Sequence, residues 1–469
     1  MTILSPLQML VLALILWALV LLALSRGGLL ERYDLGLLGP ILLVRTGRGR
    51  GLVERIASVR RFWRAYGAFA RGLTYSFMVL IFLLLVWEAV IATSLPPEAA
   101  PRPEVLIGLP GINPLIPVGY GIVALGIAIV VHEGGHAIQM RAHDIALRSM
   151  GLVMLVLPIG AFVEPDERQL LAAPRRDRER IFAAGPATNV VVAFLCAGVF
   201  AWGFMGALAP ADEGVMVTSV SEGWPAHRGG IVPGDVLTAL HPTDPNATRG
   251  GTIQSRSGFS ALLSERVAGE QVRLEFVHKG TARSVVLTLA DRFDYYAAVA
   301  PDLNTDSNHG KGFLGVSTLD HGAYASSLAR PMGGVLEHPE QGLGKAFFFV
   351  LQPVLGLQPM PQEVADLYVI SGPLAILGPG GFWMLANTFY WLFWLNLMVG
   401  LTNALPFKPL DGGYMFQDRL RGALQRVRPK SPEEETAAMA RRLSLYFSIF
   451  GLILILWQII GPRVGGLLG

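Results

Sequence analysis

One cysteine, Cys196, stands in 469 residues, and it lies in an apolar run; a disulfide within the chain is impossible, and a lone buried thiol is usually packing. Charge is scarce too. Asp, Glu, Lys and Arg make up 16% of the residues against 52% hydrophobic, and the mean hydropathy is +0.47, values that belong to membrane proteins. The net charge is only +3, mostly from arginine, and no stretch alternates basic and aromatic residues, which argues against nucleic acid as a partner. No basic residue precedes the first apolar run, residues 6–25, and the sequence beyond it continues as structure. That pattern fits a retained transmembrane helix rather than a cleaved signal peptide.

Five further apolar runs are long enough to cross a bilayer: 73–94, 117–140, 181–208, 382–403 and 443–460. Six spans divide the chain into loops of alternating charge. Residues 26–71 carry ten arginines against three acids, and basic clusters also follow the third and fifth spans, whereas the loop between spans two and three has only Arg102. The positive-inside rule then predicts both termini outside and the basic loops in the cytoplasm. Two shorter apolar pieces, 346–357 and 367–377, are rich in Pro and Gly and read as interfacial or re-entrant.

Residues 117–131 have no charge at all, yet they lead into His132-Glu133-Gly134-Gly135-His136. On a helix His132 and His136 project from one face and can grip one metal ion, with Glu133 beside them as a base for its water. Ionisable groups at membrane depth are costly and are kept for function. A hydrolytic zinc site needs a third protein ligand and an open position. The metzincin spacing fails, because Ala142 and Gln139 stand where a His and a Gly are required. His143 lies more than a turn past His136, and Glu164 closes the broken apolar stretch 150–167, which reads as a re-entrant hairpin or strand pair. The better candidate is Asp411, in Asn403-Ala-Leu-Pro-Phe-Lys-Pro-Leu-Asp411-Gly, where Pro406 and Pro409 break the end of span five at the depth of the His pair.

Residues 212–292 are different in kind, charged and with short alternating apolar runs. A strand at 214–220, a short helix at 260–267 and a hairpin of 272–277 with 283–289 through Lys279-Gly280 are expected. Gly230-Ile231-x-x-Gly234-Asp235 resembles the signature of a PDZ domain, which implies a groove for a peptide strand or C-terminus. Residues 312–316 read as a closing strand, 241–258 as a surface insertion, and Asn246-Ala247-Thr248 matches a glycosylation pattern.

The HExxH motif in one span, Asn403-x-Leu-Pro-x-x-Pro-Leu-Asp411-Gly in a later one, Gly185-Pro186-x-x-Asn189 in span four and the insert between them together resemble the site-2 protease family of intramembrane zinc metalloproteases. The fold expected is a polytopic α-helical membrane protein of about six transmembrane helices with an inserted β-rich, PDZ-like extramembrane domain. The resemblance implies one Zn2+ held by His132, His136 and Asp411, Glu133 as general base, and Asn403 and Asn189 supporting the substrate or its polarised carbonyl. It implies a membrane-embedded loop at 160–165 beside the cleft, a transmembrane protein as substrate, a peptide or C-terminus at the PDZ-like domain, and membrane lipid around the core. The division expected is 1–72 (first span and basic linker), 73–116 (second span and outer loop), 117–211 and 382–418 (the two halves of the catalytic core), 212–318 (PDZ-like), 319–381 (linker) and 419–469 (basic helix and last span). The cell membrane of a prokaryote is the expected location, with the active site toward the cytoplasm and the PDZ-like domain outside. The competing readings are a non-catalytic adaptor, which would need only the groove, and a metal transporter, against which stands the lack of an internal repeat or a second acidic helix.

Overall fold

Five helical runs among the described residues are long and apolar enough to cross a membrane: Arg60–Ala92, Val118–Ala142, Arg175–Ala207, Gly372–Ala404 and Glu433–Gly465. The computed structural model describes residues 6–47, 49–155, 157–244, 250–354 and 365–468. The first apolar run is also helical, Pro6–Arg26, over 21 residues. The second span was expected from residue 73, but its helix starts thirteen residues earlier, because no proline or glycine pair interrupts Arg60–Gly72. That extension has a use. Arg60 and Arg64 pair with Asp144 at 2.7 and 3.4 Å, and Arg64 Nε donates to the Ala142 carbonyl at 2.9 Å, closing the C-terminal end of the Val118–Ala142 helix.

The chain divides into two units, residues 1–197 with 390–469, and residues 198–389. In the first, four antiparallel strands form a sheet in the order β1-β2-β3-β4: β1 (Leu35–Leu38), β2 (Ile41–Arg45), β3 (Leu147–Leu155) and β4 (Leu157–Pro165). β3 and β4 are the hairpin expected in the broken apolar stretch. β1 and β2 correct the reading of residues 26–71 as a basic linker: the arginines flank a short apolar hairpin turned by Gly39 (φ 59°) and Pro40, and β2 pairs with β3 from Leu42↔Met154 to Arg45↔Gly151. A charge count over the whole segment averages that hairpin away. β4, at the end of this order, packs against the Val118–Ala142 helix, where Val163 joins a cluster with Ala137, Ile138 and Met140.

The second unit holds β5 (Leu208–Pro210), β6 (Val215–Val220), β7 (Val236–Pro242), β8 (Gly251–Thr252), β9 (Gln271–His278), β10 (Thr281–Thr288), β11 (Ala290–Asp291), β12 (Gly312–Phe313), β13 (Val316–Leu319) and β14 (Tyr368–Ile370). Its main sheet runs β10-β9-β7-β6-β13, with β8 on β7. Along β9 the side chains of Val272, Leu274 and Phe276 turn inward at period two and meet Val215, Val217, Leu237 and Leu240 in one core. The short helix lies at Arg256–Ser264, started by the Ser255 hydroxyl, which accepts from the Gly258 N–H at 3.1 Å, and it buries Phe259 and Leu263 four residues apart. The closing strand expected at 312–316 begins only at its end: β13, Val316–Leu319, closes the sheet on β6, while Gly312–Phe313 pairs with β11 in a separate two-stranded sheet. The apolar piece at 346 belongs to a 13-residue helix, Pro339–Leu351, and the piece at 367 forms β14 and a 3-10 turn. Asn246-Ala247-Thr248 lies outside the described residues.

Candidate metal centre

The site grows from the Val118–Ala142 helix. Pro117 starts it with extended backbone, and its carbonyl accepts from the Gly121 N–H at 2.7 Å. At the other end the chain leaves through His143 and Asp144 (φ 63°), the Ile145 N–H returning to the Met140 carbonyl. His132 and His136, both buried, stand one turn apart on its inner face.

Asp411 comes from the second chain segment of the same unit, residues 390–469. The Gly378–Ala404 helix ends before Pro406 and Pro409, and a new helix, Asp411–Val427, begins at Asp411 itself. Gly412 and Gly413 make this possible, because a Cβ at either would run into the backbone of 404–408. The three donor atoms converge. His132 Nε2 is 2.9 Å and His136 Nε2 3.2 Å from Asp411 Oδ2, and the two Nε2 atoms are 3.2 Å apart. Donors about 2.0 Å from a tetrahedral zinc ion lie roughly 3.3 Å from one another, so the observed triangle has the right size.

Two more observations favour a metal. His136 Nδ1 meets the Ile181 carbonyl at 2.7 Å, which fixes the proton on Nδ1 and leaves the Nε2 lone pair facing Asp411. Gly185, one turn beyond Ile181, faces the same point: a Cβ there would lie 2.7 Å from His132 Nε2 and nearer still to His136 Nε2. The chain thus keeps a side chain out of the space between the donors. Among the described residues these three are the one such His/Cys/Asp/Glu group.

Glu133 is half-buried on the neighbouring face, and the Val163 N–H of β4 lies beside its carboxylate. Asn189 is fully buried one turn past Gly185, with neither amide atom bonded among the described residues. Asn403 spends its Nδ2 on the Val399 carbonyl of its own helix at 3.0 Å. The two other third-ligand candidates lie elsewhere. Glu164 is exposed and accepts from the Ser149 hydroxyl at 2.6 Å, and His143 stands 3.4 Å from Asp177. Sequence reasoning missed the Ile181 carbonyl, the contact of Gly185 with the imidazoles and the Val163 N–H, because backbone groups leave no signature in residue types. The Gly-Pro pair at 185 was the available signal.

The model of "Peptidase family M50" matches residues 120–451, a range that includes every donor. An uncharacterised protein of Methanocaldococcus jannaschii is 30% identical over 377 residues, covering 80% of this chain and 76% of its own length. Zinc metalloprotease RasP of Geobacillus kaustophilus is 23% identical, covering 63% of this chain and 62% of its own. Membrane metalloprotease ARASP, chloroplastic, of Arabidopsis thaliana is 25% identical, covering 62% of this chain and 68% of its own. With the motif, the converging donors and this match taken together, the chain belongs to peptidase family M50, the site-2 protease family.

Proposed function

We propose that the protein is an intramembrane zinc metalloprotease that cuts within transmembrane segments of single-span substrates. The observation that carries this reading is the convergence of His132, His136 and Asp411, with Glu133 on the adjoining face of an apolar helix. These residues would hold one zinc ion, and the relatives named as zinc metalloproteases support that choice of metal. Bound there, zinc supplies Lewis acidity to a water molecule and to the scissile carbonyl.

The chain's own residues do the rest. Glu133 takes the proton from the attacking water and carries it to the leaving amine nitrogen. The Ile181 carbonyl keeps His136 in the ligating tautomer. The buried, unpaired amide of Asn189 is suited to the developing oxyanion, and Asn403 retains its Oδ1 for a substrate N–H. A helical substrate hides its carbonyls in hydrogen bonds and must unwind; β4, at the end of its sheet with an N–H turned to Glu133, supports a reading in which the unwound segment lies along that strand.

Pro6–Arg26, about 31 Å long, is the sixth span in this reading. The basic loops face the cytoplasm and residues 212–318 face outward as a PDZ-like filter for substrate C-termini in a prokaryotic cell membrane. Supporting that filter, Gly230 (φ 74°) and Gly234 (φ 96°) shape a turn in which buried Asp235 accepts from the Val232 N–H at 3.0 Å, and β13 ends its sheet.

The test is cleavage of a single-span model substrate by purified protein, wild type beside Glu133→Gln, with metal content determined for both. Zinc in both and cleavage only by wild type is expected, with a loss of at least a thousandfold. Absence of metal from a folded wild type would sink the enzyme reading, and metal transport that survives Glu133→Gln without proteolysis would put a transporter in its place.

A further inference from the structure

One helical turn before Glu133, at Val130, lies a cavity of about 420 Å3 whose lining side chains are all apolar. Gly126 and Val130 of the Val118–Ala142 helix form one wall, Gly160 and Ala161 of β4 the other, and Pro110 and Ile112 of the preceding loop stand over it. Both walls lead to Glu133. On the helix, Gly126, Val130 and Glu133 follow at steps of four and three residues, hence on one face. On the strand, Ala161 precedes Val163 by two residues, about 6.7 Å, on the same side, and it is the Val163 N–H that lies beside the Glu133 carboxylate.

Gly126 supplies a second observation. Gly121 and Gly135 of the same helix are required by close neighbours, Pro110 and Ile116 for one, Ala184 and Thr188 for the other, whereas Gly119, Gly126 and Gly134 are open, and of these three Gly126 lines the cavity. A Cβ on Gly126 would meet nothing within 4 Å, so no packing contact explains the missing side chain there. Its absence leaves room in the cavity.

We propose that this cavity is the side-chain subsite of the protease, taking a large apolar residue of the substrate with no branch at Cβ, leucine or an aromatic, within about two positions of the scissile bond, with Gly126 and Ala161 setting its size. The inference rests on the proteolytic reading above and names the substrate feature that the site selects. The lining has no hydrogen-bonding or charged side chain, so a polar residue entering it would lose its water without replacement. A leucine or phenylalanine would exchange water or lipid contact for the apolar side chains of the helix and the preceding loop, and its seating would hold the adjoining peptide bond against Glu133.

The experiment uses the full chain, loaded with zinc, and a set of single-span substrates differing at the residues flanking the cleavage site: Ala, Val, Leu or Phe. Wild type is expected to cleave the Leu and Phe substrates at least tenfold better in kcat/KM than the Ala substrate. Gly126→Leu, filling the cavity from the helix, is expected to lower the Leu and Phe rates by tenfold or more and to leave the Ala substrate within about threefold, with unchanged zinc content. Ala161→Leu fills it from the strand and should remove the preference in the same way. An equal loss on every substrate, or an unchanged ranking in both variants, would overturn the subsite and leave the protease standing. Release of a co-purified lipid by Gly126→Leu without a change of ranking would do the same, assigning the cavity to an acyl chain. A zinc-loaded wild type that cleaves none of the set would overturn the protease and the subsite together.

Discussion

Gly185 shows how far a single residue can matter without any chemistry of its own. His132, Glu133 and His136 were legible because a four-residue step on a helix fixes a common face, whatever the rest of the fold does. Gly185 was visible only as part of a Gly-Pro pair. Its contact with both imidazoles depends on how the Arg175–Gly198 helix crosses the motif helix, and spacing within one segment carries nothing about a crossing. The consequence is measurable. Gly185→Ala should remain folded, since alanine favours the helix, yet its methyl group would occupy the space between the donors. The expected outcome is zinc content below about a tenth of wild type by metal analysis, with near-unchanged helical circular dichroism and proteolysis lost in proportion to the metal. Full zinc occupancy in this variant would show that the donors meet at another point.

At the scale of elements, the Arg175–Gly198 helix is the common reference for both halves of the site. Its Ile181 carbonyl holds His136, and one turn earlier Arg178 grips Asp418 of the Asp411–Val427 helix with two contacts, at 3.0 and 3.2 Å. Next to it the buried Glu179 faces Arg71, Arg175 and Arg419 at 3.7, 3.3 and 3.5 Å, joining three helices through one carboxylate. Asp411 is therefore placed by ion pairs two turns further along its own helix. Arg178 and Asp418 are each 13% exposed, so breaking the pair leaves a charge largely desolvated, at a cost of about 3 kcal/mol. Arg178→Gln or Asp418→Asn should lose zinc to a chelator at least tenfold faster than wild type, and the swap Arg178→Asp with Asp418→Arg should recover part of the difference. Retention equal to wild type in both single variants would place the alignment of Asp411 elsewhere. The sequence displayed these charges as an arginine bias of alternate loops and offered no means of pairing them. The β1–β2 hairpin was hidden in the same way, its apolar residues outweighed by the arginines on either side.

For the whole molecule, the candidate triad links residues 132 and 136 to residue 411, across 275 or more positions of chain. A ligand that binds only the assembled triad stabilises the elements that carry it. Chelation of zinc should therefore raise amide exchange in the Asp411–Val427 helix and in the C-terminal turns of Val118–Ala142, and leave the β6–β10 sheet unchanged, because that sheet encloses its own core of Val217, Leu240 and Leu274. Exchange that rose equally in both regions would contradict such local control.

Periodicity and composition by themselves determined the apolar runs, the His-Glu-His face, the breakage at Pro406 and Pro409 and the alternating pattern of the inserted strands, because each is a property of residues near one another in the chain. Which of Asp411, Glu164 and His143 lies against the His pair, the sheet that β1 and β2 complete and the cavity at Gly126 were decided only by the tertiary structure. Each depends on the distance between segments far apart in sequence, and that distance is set by helix crossings, strand register and buried ion pairs that no local pattern encodes.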